Sequence, residues 1–245
     1  MQINDKALIL TRKKFGESKY LLSLLTKENG KLLAYTNASR KNMASYEIGS
    51  LVSVNYSFKE NSKYGFASVE LIKPFALLVL DNQAKLYAIT SACAIVDHII
   101  NEGEQNVVFY VALSKLLEEI THDQTWLQTY SKFELLALSE SGFGLDLSKC
   151  GATEKCENLE YISPKTGAAI SLEAGKEYSD RLFKLPKWLL GKGDYNLEEV
   201  YSTLKISEYF LNKHFFINKN QNISINRNCL MKYLKKELTP SSIMT

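Results

Sequence analysis

Short runs of alternating apolar and polar side chains dominate the first 80 residues. From Val52 to Phe58 every second residue is apolar, and this period of two is typical of a strand with one buried face. Similar runs predict five strands, over residues 7–12, 20–26, 31–36, 51–59 and 66–72. Asn29 and Gly30 separate the second run from the third. They predict a hairpin with a type I′ turn, because both residue types tolerate a positive φ.

A different period begins after Pro74, where apolar residues recur at intervals of three and four. This spacing predicts helices over residues 82–101, 103–120, 124–141, 197–216 and 227–238. Gly142 and Gly144 follow the third helix and predict its C-terminal cap. Pro and Gly punctuate residues 146–195, which we expect to form an irregular insert.

The predicted fold is a multidomain α+β fold. Five short strands with no long helix among them favour a small β-barrel, and the OB-fold is the commonest five-stranded barrel of this size. We predict a five-stranded OB-fold domain over residues 1–80. A mainly α-helical domain should follow over residues 81–245 and contain the insert.

Composition excludes several classes of protein. Hydrophobic residues make up 45% and charged residues 23%, which is typical of a globular chain and excludes general disorder. Four cysteines are too few for a disulfide scaffold. No apolar run predicts a membrane span, and the N-terminus has no signal-peptide cleavage site. We therefore expect a cytoplasmic protein that has no contact with a membrane.

Charge is unevenly distributed along the chain. Residues 1–80 contain 12 Lys and Arg against 6 Asp and Glu, whereas residues 81–195 contain 11 against 17. A basic first third is typical of a domain that meets a polyanion such as nucleic acid. Chance placement of charges on solvated faces gives the same asymmetry, so charge alone leaves both interpretations open.

The sequence offers no constellation for catalysis. It contains no nucleophile elbow, no His-Glu-x-x-His, no kinase motifs and no phosphate-binding Gly-x-x-x-x-Gly-Lys loop. Its three histidines, His98, His122 and His214, all fall in predicted helices. Gly142 and Gly144 belong to a helix cap and not to a dinucleotide loop. We therefore expect a protein that is not an enzyme.

Basic residues near the ends of the predicted strands are the best candidates for a functional site. Such cations bind phosphates without reading sequence, and nearby aromatic rings can stack on bases. The candidate phosphate contacts are Arg12, Lys13, Lys14, Lys19, Lys27, Lys31, Arg40 and Lys41. The candidate stacking residues are Phe15, Tyr20, Tyr35, Tyr46 and Tyr56. Because strands alternate, we expect at most two of these rings to be available to a ligand.

Three blocks of residues carry a family resemblance. The first contains FGES at residues 15–18, LTKENGK at 25–31 and ASRK at 38–41. The second contains FELL at 133–136, GFGL at 142–145 and Cys150, and the third contains YISP at 161–164 with Gly167. In their order and spacing these blocks resemble the RecO family of bacterial DNA repair proteins.

The resemblance implies an OB-fold followed by a helical domain, and a recombination mediator in place of an enzyme. Such proteins bind single-stranded and double-stranded DNA, anneal complementary strands and work with RecR. They also engage the C-terminal tail of single-stranded DNA-binding protein (SSB) and help to load RecA. This role implies a protein associated with the nucleoid.

Two positions depart from the family pattern. Many RecO proteins carry a four-cysteine zinc site in the insert, but here Cys150 and Cys156 stand six residues apart and no second pair follows. We expect a zinc-finger remnant without a full ligand set, and hence no metal and no cofactor. Asn37 stands where the family often has Gly, at a turn that we expect to use a left-handed backbone.

The SSB tail implied by the resemblance is acidic and ends in an apolar residue with a free carboxylate. It needs an apolar pocket with a cation at its mouth. Lys132, before the FELL block on the third predicted helix, is the first candidate for that cation, and Lys115 on the preceding helix is the second. The alternative is that Lys132 is an ordinary solvated lysine.

A second functional class stays open. In it the chain is a non-enzymatic adaptor, whose acidic helical domain docks a protein partner. The positive charge of its barrel is then incidental to function. Binding to DNA separates the two classes: a mediator should bind DNA with an affinity that falls steeply with salt, and an adaptor should not bind DNA at all.

Overall fold

The computed structural model describes residues 2–38, 40–59, 62–122, 125–192, 195–216 and 225–239, without the side chains of Arg40 and Lys41. The chain divides into two compact units. The first comprises Met1–Thr129 with Ser224–Cys229. The second comprises Tyr130–Ile223 with Leu230–Thr245.

Five strands of the first unit close into a barrel. They are β1 (Gln2–Phe15), β2 (Lys19–Thr26), β3 (Lys31–Asn37), β4 (Ser50–Ser57) and β5 (Gly65–Pro74). Around the barrel they follow the order β1-β2-β3-β5-β4, and β4 pairs back with β1. The β3–β5 pair is parallel, and the other neighbours are antiparallel. This topology confirms the predicted five-stranded OB-type barrel.

The interior of the barrel follows the predicted alternation. Val52, Val54 and Tyr56 are buried in the core, whereas Ser53 between them is exposed. Phe58 lies beyond the end of β4 and is exposed, so the alternation that was predicted to include it ends at the strand terminus. The period of two therefore identified which face of β4 supplies the core.

The β2–β3 hairpin is present, but its turn is not the predicted type I′. Gly30 has a φ of +74°, whereas Asn29 is not among the residues with positive φ. Side chains hold the loop in its observed form. The Thr26 hydroxyl accepts from the Asn29 N–H and donates to the Gly30 carbonyl. The Asp5 carboxylate accepts from the Glu28 N–H and from the side-chain amide of Asn29. Because Asp5 is distant in sequence, local turn preferences could not reveal this loop.

Two predicted helices complete most of the first unit. They are α1 (Gln83–Ile99) and α2 (Val107–His122). The side chain of Asn82 caps α1 by accepting a hydrogen bond from the Lys85 N–H at 3.1 Å. Compact packing thus continues past residue 80, and the domain boundary placed there stays a prediction from the sequence pattern.

The third predicted helix, α3 (Trp126–Glu140), ends in the expected glycine cap. The Phe143 N–H donates to the Leu138 carbonyl at 2.8 Å, and the Gly142 N–H donates to the Ser139 carbonyl at 3.0 Å. These are the two bonds of a Schellman motif. Gly142 has the positive φ of +82° that this motif requires.

The second unit contains more regular structure than the predicted irregular insert. Its strands are β6 (Leu159–Ile162), β7 (Ala169–Ser171) and β8 (Phe183–Lys184), with β6 in the middle of the sheet. Strands of four residues or fewer are too short for a period of two to show in the sequence. The remaining α-helices of the chain are α4 (Leu172–Gly175), α5 (Leu197–Leu211), which continues into a π-helical turn, and α6 (Ile225–Leu238). The residues of α6 up to Cys229 belong to the first unit. Among the described residues, no helix combines the length and apolar character that a membrane span requires.

The substitution Gly30→Ala is expected to destabilise the protein more than Gly16→Ala. Both glycines have positive φ, so alanine should cost about 1 kcal/mol of backbone strain at either position. A Cβ on Gly30 would also lie 2.5 Å from the Glu104 carbonyl oxygen, whereas nothing lies within 4 Å of one on Gly16. The collision should cost roughly 1 kcal/mol or more in addition. Urea unfolding of both variants measures the difference, and equal losses would contradict it.

Candidate nucleic-acid interface

Three of the predicted phosphate contacts lie together at one end of the barrel. Lys13 and Lys14 are near the end of β1, and Lys19 opens β2. Strand pairing joins the two segments, because Phe15 faces Lys19 across the ladder. All three lysines are exposed. Lys13 and Lys19 lie on the outer face of the sheet, and Lys14 pairs with Tyr20 on the other face. We call this end of the barrel the Lys13–Lys19 end.

Lys27 lies at the opposite end of the barrel. β2 separates it from Lys19 by eight residues, or about 25 Å for an extended strand. Lys27 is exposed, and its N–H donates to the Lys6 carbonyl at 3.0 Å. The structure therefore does not bring Lys27 together with the Lys13–Lys19 end.

Arg12 already has partners within the barrel. It pairs across the ladder with Leu22, a buried residue, and is itself only partly exposed. Its guanidinium donates to the Glu47 carboxylate at 2.8 Å and lies over the Tyr20 ring at 5.3 Å. The paired carboxylate neutralises much of its charge, so Arg12 offers less to a phosphate than Lys13 does.

Lys31 has a structural role. Its ammonium is buried, donates to the carbonyls of Asp97 and Ile100, and lies 3.0 Å from the Asp97 carboxylate. Those groups belong to the C-terminal end of α1, where carbonyls lack helical partners and a cation is favoured. Lys31 therefore ties the barrel to α1, and we leave it out of the candidate interface.

The side chains of Arg40 and Lys41 lie outside the described part of the structure. Their backbone begins a 3₁₀ helix, Arg40–Tyr46, which follows β3. β3 ends at Asn37, the partner of Lys19, so the chain leaves β3 at the Lys13–Lys19 end. Asn37 itself has no positive φ, so the left-handed turn expected at this position is not formed.

Two of the five candidate stacking residues lie on the outer surface. Tyr46 and Tyr56 are buried in the barrel core, and Tyr20 packs against that core. Phe15 is 53% exposed and Tyr35 is partly exposed. The centroids of these two rings are 4.7 Å apart, so they form one aromatic surface beside Lys19.

Strand pairing builds a groove next to Tyr35. Tyr35 pairs with Leu21 of β2 on one side and with Phe66 of β5 on the other, and paired residues share a face of the sheet. Phe66 pairs in turn with Ser57 of β4. The groove has a volume of about 460 Å³ and is lined by Lys19, Tyr35, Ser57, Lys59, Tyr64 and Phe66.

Residues that were not among the predicted site residues line the far side of the groove. Tyr64 meets the Tyr35 ring edge-on at 5.6 Å, and the Lys63 ammonium is 5.2 Å from the Tyr64 centroid. Lys59 and Phe66 complete this side. Local sequence did contain a signal, because aromatic and basic residues are dense over residues 58–66. The parallel pairing that brings them to Tyr35 has no local signal.

Lys132 and Lys115 belong to different units and have different surroundings. Lys132 is exposed on α3, with its ammonium 5.8 Å from the centroid of the Trp188 ring. Trp188 is largely buried and donates from Nε1 to the Thr203 hydroxyl at 3.1 Å. Lys115 is exposed on α2 and lies 3.6 Å from the Glu119 carboxylate. Of the two, Lys132 is the one placed against an aromatic surface.

Two of the three histidines, His122 and His214, make contacts of a structural kind. His122 lies 3.8 Å from the Glu118 carboxylate on its own helix. His214 stacks on Phe143 at a centroid distance of 3.9 Å, and burial together with the neighbouring Lys213 lowers the pKa of His214.

The cysteines of the second unit do not fit a four-cysteine zinc site. Cys150 is buried, and its sulfur accepts a hydrogen bond from the Ser171 N–H at 3.2 Å. Burial raises the pKa of the Cys150 thiol, but hydrogen bonds from Thr153, Ser171 and Ala152 outweigh burial and lower it to about 6. Cys156 is exposed, and the described residues contain no cluster of three or more side chains placed to hold a metal.

Two family models match almost the whole chain. The model described as "Recombination protein O N terminal" matches residues 1–75, which contain the barrel. The model described as "Recombination protein O C terminal" matches residues 81–221. The chain belongs to the RecO family of DNA repair proteins.

Individual relatives agree with this assignment. The "DNA repair protein RecO" of Wolbachia pipientis wMel is 35% identical over 239 residues, covering 94% of this chain and 99% of the relative. The protein of the same name from Wolbachia sp. subsp. Drosophila simulans (strain wRi) is 34% identical over 238 residues, with the same coverage. That of Rickettsia felis is 33% identical over 223 residues, covering 90% of this chain and 94% of the relative.

We expect this RecO-family protein to fold without zinc. Cys150 already has hydrogen-bond donors around its sulfur, and the second ligand pair of a structural zinc site is missing from the sequence. Metal analysis of the purified protein should find far less than one zinc per chain. A chelator should leave the Tm unchanged. Stoichiometric zinc that survives dialysis would overturn this expectation.

Proposed function

We propose that the chain binds DNA through the Lys13–Lys19 end of its barrel and acts as a recombination mediator that catalyses no reaction. The observation that carries this proposal is the cluster of exposed lysines beside an aromatic groove, on an OB-type barrel. Barrels of this type bind oligonucleotides in many proteins. Membership of a family of DNA repair proteins supports the same function.

The lysines bind phosphates and do not read bases. Lys13, Lys14 and Lys19 are exposed at one end of the barrel, where each ammonium can neutralise a phosphate and release a counterion. Single and double strands both present phosphates, so this surface binds both forms of DNA. The binding is independent of sequence, which suits a protein that acts wherever DNA is damaged.

Family membership supports the remaining steps of the proposed role. In that role the protein anneals complementary strands, works with RecR and promotes the loading of RecA onto DNA that SSB covers. Binding to DNA would associate the protein with the nucleoid.

Replacing Lys13 and Lys14 with Ala should weaken DNA binding similarly for all sequences. The salt dependence should also become less steep, because two phosphate contacts are lost. The slope of log K against log salt should flatten by about 1.4 for a single strand and about 1.8 for a duplex. Fluorescence anisotropy titrations at several salt concentrations measure both quantities.

The matched control removes the same charge from the other end of the barrel. Lys6 and Lys27 are exposed and adjacent there. Their double replacement with Ala should leave the salt slope close to that of the parent. If the control flattened the slope of log K against log salt as much as the Lys13 and Lys14 variant did, the DNA interface would not lie at the Lys13–Lys19 end. A parent protein without DNA affinity at low salt would favour the adaptor alternative.

The proposed role includes a contact between Lys132 and the acidic tail of SSB. The Lys132 ammonium lies 5.8 Å from the centroid of the largely buried Trp188 ring. A tail with an apolar end and a free carboxylate needs a cation next to apolar side chains. Glu134 faces inward on the same helix, where its carboxylate accepts a hydrogen bond from Ser207 at 2.5 Å. The carboxylate of Glu134 is thus held in the interior and does not pair with Lys132.

Charge reversal at Lys132 is expected to weaken binding of an SSB tail peptide. Lys132→Glu should raise the dissociation constant at least about tenfold, because a carboxylate would face the carboxylate of the peptide. Lys176→Glu is the control, since Lys176 is an exposed lysine of the same unit. A fluorescent tail peptide titrated against the parent and both variants gives the comparison. An unchanged constant for a folded Lys132→Glu variant removes Lys132 from the site.

A further inference from the structure

We propose that Cys150 and Cys156 form a peroxide-responsive thiol pair, which closes into a disulfide when the protein meets hydrogen peroxide and reopens when a thiol reductant acts on it. Both cysteines belong to one short segment of the second unit. Their chemistry goes beyond the proposed DNA binding and does not depend on it. Three observations carry the proposal.

The first observation is that a backbone turn holds the two cysteines close together. The Cys150 N–H donates to the Lys155 carbonyl at 2.8 Å, and the Glu154 N–H donates to the Cys150 carbonyl at 2.8 Å. Cys156 follows Lys155 directly, so standard peptide dimensions limit the distance between the Cα atoms of the two cysteines to about 7 Å. Disulfides join Cα atoms that are about 4.4–6.8 Å apart. The turn therefore needs at most a small movement before the bond can form.

The second observation is the group of hydrogen-bond donors around the Cys150 sulfur. The Ser171 N–H donates to it at 3.2 Å, and the Ser171 hydroxyl lies 3.5 Å away. Thr153 and the backbone of Ala152 supply further hydrogen bonds. Burial raises the pKa of this thiol, but the donors outweigh burial and lower it to about 6. The sulfur is therefore mostly a thiolate at neutral pH and can attack a second sulfur atom.

The third observation is the difference in exposure between the two cysteines. Cys156 is exposed and Cys150 is buried, so an oxidant from solvent meets Cys156 first. Glu154 and Asn158, on either side of Cys156, have φ values of +60° and +51°. Residues other than glycine rarely adopt this region, so the backbone on both sides of Cys156 is strained. A rearrangement that relieves this strain can turn the Cys156 sulfur towards Cys150.

The two cysteines divide the oxidation between them. The thiolate of Cys156 attacks one oxygen of hydrogen peroxide and the O–O bond breaks. Cys156 becomes a sulfenic acid, and the departing hydroxide takes up a proton to give water. The Cys150 thiolate then attacks the sulfur of the sulfenic acid and expels a second hydroxide, which is also protonated. Two thiols are thus oxidised to one disulfide, and the peroxide is reduced to two water molecules.

The other two cysteines of the chain serve as internal references. Cys93 is buried in α1, where burial raises the pKa of its thiol to about 12. Cys229 is partly buried in α6. Neither helix contains a second cysteine. Because a thiol reacts with peroxide mainly as its thiolate, we expect Cys93 to remain reduced under conditions that link Cys150 to Cys156.

Tryptic peptides of the full-length protein test the proposal. Trypsin cuts after the lysines that flank the cysteines, so Cys150 falls in peptide 150–155 and Cys156 in peptide 156–165. The folded protein is treated with hydrogen peroxide in the presence of a chelator, and free thiols are then blocked with iodoacetamide in denaturant. Mass spectrometry should find the two peptides joined in most chains. Dithiothreitol applied before the blocking step should return both peptides in alkylated form.

Variants separate the roles of the two sulfurs. Cys156→Ser should abolish the linked peptides, and its exposed position makes a folding defect an unlikely cause of the loss. Cys150→Ser should leave Cys156 as a sulfenic acid that dimedone labels, whereas the parent should take up little dimedone because the disulfide forms. Circular dichroism checks that this second variant is folded. Cys229→Ser is the matched control and should form the link as the parent does.

Three results would each overturn the thiol pair. The first is a parent protein whose Cys150 and Cys156 both remain open to alkylation after peroxide. The second is oxidation of Cys156 to a sulfinic acid with no linked peptides. The third is a disulfide between two chains, seen as a dimer on a non-reducing gel. None of them bears on the proposed DNA binding, which the Lys13 and Lys14 variant tests separately.

Discussion

Closure of the barrel depends on two residue pairs between β3 and β5. Ala34 faces Gly65, and Tyr35 faces Phe66. The first pair requires glycine, because the Tyr56 ring occupies the space where a Cβ of residue 65 would lie. The second pair places two aromatic side chains next to each other on the outer face. The contact that closes the core is therefore also the contact that creates the groove, so the stability of the fold and the shape of the candidate site have one structural origin.

Position in the strand ladder divides the basic residues of the barrel into two kinds. Lys31 lies where β3 meets the end of α1, and its ammonium satisfies helix carbonyls and the Asp97 carboxylate. Arg12 shares a register position with buried Leu22 and is held by Glu47. Lys13, one residue further along β1, points the other way and remains exposed. A shift of one residue along a strand thus separates a cation that stabilises the fold from one that is available to phosphate.

Periodicity in the sequence was sufficient for the five barrel strands, the five longer α-helices and the α3 cap, because each of these depends on residues close together in the chain. It was not sufficient where a distant residue decides the conformation. Asp5 fixes the turn at Asn29, and Asp97 binds Lys31. The groove was missed for the same reason, since Tyr64 reaches Tyr35 only through closure of the barrel. The small sheet of the second unit was missed because its strands are too short to show a period.

The candidate phosphate contacts and the aromatic rings of the groove lie on separate elements at one end of the barrel. Lys13 and Lys14 belong to β1, whereas Tyr64 and Phe66 belong to the entry of β5. Lys19 belongs to both sets, because it opens β2 at the Lys13–Lys19 end and also lines the groove. Bases that are paired in a duplex are not available to stack on the rings, whereas the phosphates of a duplex remain accessible to the lysines.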